Sequence, residues 1–214
     1  QAYAETLIDG AIEDQKNNRT FLGRIVEQSE RLNMLIQDLL SIARVESNSQ
    51  ANEYLVINVV EVLNSCLKHH QPRAGKKEIT LEVQTPTDVM VYAETEGVRQ
   101  ILDNLIDNAI KYTPEQGRVQ IDIKIQNEQV LLKVQDSGIG IPEAHLQRIF
   151  ERFYRVDKAR SRELGGTGLG LSIVKHLVNA FGGTVDVTSN PDEGTAFIVT
   201  LPLAAGRQAA IAAG

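Results

Sequence analysis

RVQIDIKIQNEQVLLKVQDSGIG, residues 118–140, holds two runs in which apolar and polar residues alternate, Arg118–Gln126 and Gln129–Gln135, and ends in Asp-Ser-Gly-Ile-Gly. Alternation of period two marks half-buried strands. The carboxylate of Asp136 therefore falls at the end of an apolar strand, beside Gly138 and Gly140, which let backbone or ligand approach closely. Alone the motif is weak, because Asp-x-Gly-x-Gly is also a common turn.

Upstream, NLIDNAIKYT (residues 104–113) places Asn104, Asn108 and Lys111 at steps of four and three, hence on one helical face. Leu105, Ile106, Ala109 and Ile110 are left for the core. Taken singly, an asparagine on such a face is usually only solvated. Downstream, GGTGLGLSIV (residues 165–174) runs straight into a helix whose N-terminal amides and dipole favour phosphate. No Gly-Lys-Ser/Thr follows, so it is not a Walker A loop, and it is not a clean Rossmann fingerprint after a strand.

Working outward, the sequence predicts a strand over Tyr54–Asn58, an amphipathic helix from Val59 to about Gln71, and strands at Glu78–Gln84 and Val89–Tyr92. It then predicts a helix over Gly97–Tyr112, a helix over Leu169–Phe181 and final strands at Thr184–Ser189 and Thr195–Leu201. Strands separated by helices, with adjacent hairpins, point to a mixed sheet with helices on one face, an α+β sandwich. Ahead of it, Ile25, Ser29, Leu32, Ile36, Leu39 and Ala43 recur at steps of four, three, four, three and four, the 3.5-residue repeat of a supercoiled helix. Residues 1–14 read as the end of a preceding helix, with a polar turn over Asp14–Asn18. The expected organisation is helices over 1–49, a linker over 50–54, one domain over 55–204 and a disordered Ala-rich tail over 205–214.

A formal charge of −6 gives no basic footprint for nucleic acid, and no apolar run is long enough to span a bilayer. The lone cysteine, Cys66, lies among Val59, Val62, Leu63 and Leu67 at helical spacing and reads as a buried thiol. The chain opens without methionine inside a helical pattern, as expected of a piece of a longer, cytoplasmic protein.

The three motifs, with FERFYR (residues 150–155) between the second and third, resemble the histidine-kinase branch of the superfamily shared with Hsp90, DNA gyrase B and MutL. NLIDNAIKYT is similar to its N box, DSGIG to G1, FERFYR to the F box, GGTGLGLSIV to G2 and EGTAF (residues 193–197) to its closing strand. The likeness covers residues 54–203, and residues 1–49 resemble part of the dimerisation and phosphotransfer domain. It implies a two-layer sandwich of the Bergerat ATP-binding type behind a partial helical hairpin. It also implies ATP and Mg²⁺ as cofactors, with Asn108 holding the metal and Asn104 supporting it. Asp136 would accept from the adenine amine, Lys111 and Arg155 would reach the phosphates, and Tyr112 would line the pocket. Gly138, Gly140, Gly166, Thr167, Gly168, Leu169 and Gly170 would supply backbone room and amides.

Ile141–Thr167 would then be the ATP lid, with Arg148, Arg152, Arg155, Lys158, Arg160 and Arg162 in it and with Phe150, Phe153 and Tyr154 packing it onto the core. The long polar lid is expected to be mobile without nucleotide. The stretch YRVDKARSRELGGTGLGL (residues 154–171) is similar to phosphate-sensing and cell-wall-sensing kinases. The implied partners are a second copy through residues 1–49 and a response-regulator receiver domain, with no nucleic acid, and with any membrane anchor outside this chain. The family's His-Glu-x-x-x-Pro acceptor motif does not occur in the 214 residues. His69, His70, His145 and His176 have ordinary structural contexts instead. The expected activity is Mg-ATP binding without autophosphorylation. The competing readings are a non-catalytic nucleotide-binding or dimerising scaffold and the serine-kinase anti-sigma relatives, which lack the long heptad helix.

Overall fold

A computed structural model describes residues 2–8, 10–14, 17–26, 28, 29, 32, 36, 54–157 and 167–204. Seven strands and six helices are referred to below: β1 Leu55–Asn58, β2 Thr80–Gln84, β3 Met90–Ala93, β4 Arg118–Gln126, β5 Gln129–Asp136, β6 Thr184–Asn190 and β7 Gly194–Pro202. The helices are α1 Ala2–Ile8, α2 with residues 18–26, α3 Val59–Lys76, α4 Thr95–Tyr112, α5 Glu143–Leu146 and α6 Gly170–Ala180.

The β4–β5 hairpin is the centre of the sheet. Its two turn residues, Asn127 and Glu128, both take positive φ (49° and 60°), the twist that a two-residue hairpin loop requires. The turn sets the register, pairing Ile121 with Val134 and Ile123 with Leu132, so the apolar side chains fall on one face. Parallel β2 extends that sheet beyond β4, and antiparallel β7 and β6 extend it beyond β5, in the order β2-β4-β5-β7-β6. Strands β1 and β3 form a separate antiparallel pair. The apolar face is covered by α4 and α6, whose Leu102, Leu105, Ile106, Ile110, Ile173, Val174 and Val178 are almost fully buried. The mixed sheet with helices on one face is the architecture that the alternation pattern implies.

Helix α3 runs five residues past its expected end, through Pro72. A proline there removes one backbone hydrogen bond and ordinarily ends or kinks a helix. Side chains that the sequence pattern did not pair hold α3 against α4, Arg73 among them within the extension. Arg99 Nη1 donates to Ser65 Oγ at 3.1 Å, His70 Nε2 lies 2.9 Å from Asp103 Oδ1, and Arg73 donates to Asp107. Lys77 Nζ then donates to the carbonyls of Ile110 (2.8 Å) and Lys111 (3.2 Å), which would otherwise be open at the C-terminal end of α4. Cys66 is buried in the same seam, as expected, and burial followed by the nearby Asp103 charge pushes its thiol up to about 12. Burial acts against ionisation of Asp103 too, but the hydrogen bond and charge of His70 hold that carboxyl below its usual range.

In the N-terminal region α1 gives way to a short 3-10 turn, Ala11–Glu13, after Gly10. Asp14 then receives the amide of Asn18 on its carbonyl at 2.9 Å and the side-chain amide of Asn17 at 2.7 Å, which forms the expected polar turn into α2. Tyr3 and Phe21 pack across this turn with ring centroids 6.1 Å apart. Leu22, Val26, Leu32 and Ile36 are all about half exposed. Leu39, Ala43, linker residues 50–53 and the tail lie outside the described residues. Among the described residues no helix is long and apolar enough to cross a membrane.

Helix α4 carries Gly97 where it meets the end of α6. A Cβ there would stand 2.5 Å from Phe181 Cζ, and that ring is buried and held edge-on by Tyr54. Gly97→Ala would gain up to about 1 kcal/mol of helix propensity, but overpacking costs typically about 1–3 kcal/mol. The substitution is expected to lower the urea unfolding midpoint, whereas a raised midpoint would show that Phe181 can move aside.

Candidate functional site

The end of β5, the loop after it, the β6–β7 turn, the second half of α4 and the start of α6 converge. Asp136 closes β5 directly opposite Thr195, the second residue of β7. Its Oδ1 accepts the Gly138 amide at 2.8 Å and the Thr195 amide at 3.3 Å. Only 7 % of Asp136 is exposed, and burial pushes its carboxyl up to about 6 despite the two amides, which act in the opposite sense. The group can therefore gain or lose a proton close to neutrality.

The glycines around it are consumed by the protein's own close approaches. A Cβ on Gly138 would lie 2.6 Å from both Asp136 Oδ1 and the Tyr112 carbonyl, and one on Gly140 would lie 1.9 Å from the Asn190 carbonyl. Gly170, the first residue of α6, leaves room for Asn104 Oδ1, which a Cβ would meet at 2.4 Å. Asn104 in turn donates to the Gln100 carbonyl at 2.9 Å, so it is fixed between its own helix and the start of α6. Asn108, one turn further on and half-buried, makes no side-chain hydrogen bond among the described residues.

Lys111, on the same α4 face by spacing, is buried. Only 7 % of it is exposed, with its ammonium 5.5 Å from the Tyr112 ring centroid. Tyr112 is half-buried. Thr167 Oγ1 accepts the Leu169 amide at 3.2 Å, Gly168 takes φ of 77°, and Leu169 is buried as α6 begins. Gly166 lies outside the described residues, as do Lys158, Arg160 and Arg162.

The described part of the lid is packed. Phe150 meets Phe197 edge-on at 6.3 Å, Ile149 is buried, and the Phe153 amide donates to the Gly168 carbonyl at 2.8 Å. His145 Nδ1 lies 2.6 Å from the Tyr154 hydroxyl, and the Arg148 guanidinium sits 4.3 Å above the Tyr154 ring. Phe153 breaks the expectation of three aromatic anchors: its side chain is 62 % exposed, because its backbone rather than its ring fastens the segment. Arg155 is half-buried. His176, expected to point away from the apolar side, has its Nε2 buried without a partner, beside a concavity of about 480 Å³ between residues 150–152 and the outer face of α6.

The sequence reading missed Thr195 as part of this constellation. The signal was present, since EGTAF opens the last strand, but placing Thr195 beside Asp136 requires the β5–β7 register, which no local pattern carries.

The family described as "Histidine kinase-, DNA gyrase B-, and HSP90-like ATPase" matches residues 93–205, from the end of β3 through β7. The chain belongs to this family. The sensor histidine kinase WalK of Bacillus subtilis (strain 168) is 36% identical over 204 residues, which is 94% of this chain and 33% of that protein. The chain thus spans about a third of the length of the curated relatives it matches. Among solved structures, the Acinetobacter baumannii histidine kinase AdeS superposes with a TM-score of 0.76 at 25% identity, covering 95% of this chain and 92% of that one. Full-length ShkA in complex with AMPPNP superposes with a TM-score of 0.74 at 29% identity, covering 88% of this chain and 39% of that one. The five-stranded sheet with its helical layer is the fold of histidine-kinase catalytic domains.

The raised value at Asp136 has a consequence for stability. A folded state that prefers the protonated carboxyl is penalised when the group ionises, a penalty absent below the ordinary value of 3.8 and complete above about 6. Asp136→Asn keeps an oxygen for the two amides and removes the charge. It should raise the unfolding free energy at pH 8 by up to about 3 kcal/mol, at about 1.4 kcal/mol per unit, with the gain shrinking as pH falls towards 4. Urea melts at the two pH values measure this, and a variant less stable than the parent at pH 8 would contradict it.

Proposed function

We propose that this chain is the ATP-binding catalytic portion of a two-component sensor histidine kinase. The observation that carries the reading is the buried Asp136 carboxylate, held by two amides at the end of an apolar sheet face, with the C-terminal carbonyl of α4 at Tyr112 pressed against the Gly138 that follows it. A buried acceptor in that position suits an exocyclic amine, which adenine offers and guanine replaces with a carbonyl. Charge-assisted hydrogen bonds of this kind contribute about 1.5–3 kcal/mol. The relatives named as sensor histidine kinases, and ShkA with its bound ATP analogue, support the same reading.

The residues fit the nucleotide and its metal. Asn108, half-buried and unpartnered among the described residues, would offer its side-chain oxygen to Mg²⁺, a hard cation suited to oxygen ligands. Asn104 keeps the neighbouring turn in place. Lys111 and Arg155 neutralise phosphate charge, Tyr112 lines the pocket, and the backbone of Gly138, Gly140, Gly166, Thr167, Gly168, Leu169 and Gly170 approaches the ligand. Mg²⁺ held at Asn108 would supply Lewis-acid withdrawal of charge from the phosphates. The protein's own contribution is positioning and electrostatics, which is what phosphoryl transfer mainly needs.

On this reading the complete kinase passes the γ-phosphate to a histidine and then to a response-regulator aspartate. The chain divides near residue 50 into helices that pair with a second copy and a nucleotide-binding unit over 55–204. It works in the cytoplasm, with any membrane anchor in other segments. Because no His-Glu-x-x-x-Pro occurs in the 214 residues, the chain as given binds Mg-ATP without phosphorylating itself.

Calorimetric titration is expected to show Mg-ATP binding at least tenfold tighter than Mg-GTP, with Asn108→Ala losing tenfold or more and most of its Mg²⁺ dependence. Equal affinity for the two nucleotides would defeat the assignment of Asp136. Incubation with γ-labelled ATP should leave no acid-labile, alkali-stable label on the chain. For the helical segment, exposed Leu32 and Ile36 are expected to drive self-association. Light scattering should report a mass above that of one chain, falling to one chain in the Leu32→Glu, Ile36→Glu double variant; a monomeric parent at high concentration would count against pairing through this helix.

A further inference from the structure

Asp136, Thr195 and Ser189 stand opposite one another across three strands, since Thr195 pairs with Asp136 on one side and with Ser189 on the other. Two residues along the same strands, the corresponding row is Val134, Phe197 and Val187. The core-facing rows thus change from apolar to polar where the candidate site begins.

The Ser189 hydroxyl has three neighbours, each at 2.8 Å: the Ile141 amide, the Gly194 carbonyl and the Thr195 hydroxyl. A hydroxyl has one proton to give and two lone pairs to receive with. A carbonyl can only accept and an amide can only donate. The Ser189 proton therefore goes to Gly194, the Ile141 amide fills one lone pair, and Thr195 must donate into the other. Every hydrogen-bonding capacity of Ser189 is used, and the Thr195 oxygen is left facing its surroundings as an acceptor only.

Ile141 is the first residue of the lid, and the chain just before it is pressed against the same hairpin. Gly140 takes φ of 65° with its Cα against the Asn190 carbonyl, and the Ile139 carbonyl accepts the Asp192 amide at 2.9 Å. We infer that Ser189 is a positioning residue of the nucleotide site: it ties the root of the lid to the β6–β7 hairpin and turns the Thr195 hydroxyl into a second acceptor beside Asp136. This rests on the function proposed above. Two acceptors side by side favour a ligand edge that presents N–H or bound-water hydrogens, so the same hydroxyl also contributes to the preference for adenine over guanine.

Ser189→Ala removes the acceptor for Ile141 and frees the Thr195 proton to point elsewhere, while the Asp192–Ile139 backbone bond and the apolar rows remain. In the 214-residue chain, hydrogen exchange at the Ile141 amide is expected to accelerate tenfold or more without nucleotide. ATP affinity should fall about five- to tenfold while GTP affinity moves less than twofold, the size expected for loss of one buried neutral hydrogen bond. Ser189→Thr, which keeps the hydroxyl, should restore both. A purely structural role would lower the urea midpoint and leave the ATP-to-GTP ratio where it was. An unmodified chain that binds no ATP sinks the proposed function; one that binds ATP, with Ser189→Ala keeping either the parental ratio or the parental Ile141 exchange, sinks the inference alone.

Discussion

A carboxylate at the end of an apolar ladder is the constraint around which this molecule is arranged. Burial disfavours the charge on Asp136, and two backbone amides offset only part of the penalty. Those amides belong to segments far apart in sequence, so the loop after β5 and the start of β7 must both arrive in register. Glycine at 138 and 194 is what lets them come that close: a Cβ on Gly194 would lie 1.9 Å from the Asp136 carbonyl, and φ there is 97°. The local strain and the buried charge occur together, and the sheet behind them supplies the compensating apolar burial.

The second structural theme is the seam between α3 and α4. Ser65, His70, Arg73 and Lys77 meet Arg99, Asp103, Asp107 and the C-terminal carbonyls of α4 along nearly the whole contact. The faces of α4 therefore do different work. Leu102, Leu105, Ile106 and Ile110 pack on the sheet, the charged row holds α3, and Asn104 and Asn108 are left towards α6 and the candidate site. A helix gripped on two sides has little freedom to rotate, which fixes the azimuth of its asparagines. The exposed members of the seam contribute little energy individually; their effect is on register.

Elements whose evidence is local were legible in the sequence. The β4 span was read with both ends in place because nine alternating residues end at a turn, and α4 was read from its apolar periodicity. What could not be read depends on partners thirty or more residues away. Helix α3 outruns Pro72 because α4 holds it, and Thr195 gains its place only through strand pairing. DSGIG and GGTGLGLSIV were found because each sits where a glycine-rich sequence interrupts a regular pattern, at the end of β5 and the start of α6. Their convergence is a property of topology, which spacing along the chain does not encode.

The two-residue turn at Asn127 and Glu128 lies at the far end of the hairpin from Asp136. Seven residue steps of β5 separate Gln129 from Asp136, or roughly 24 Å at 3.4 Å per residue. That distance is rigid, because every intervening residue is paired on both sides of β5, with β4 and with β7. A spectroscopic label attached at Asn127 would ride on the stiffest part of the molecule without touching the chemistry, giving a fixed origin from which displacements of the lid could be surveyed.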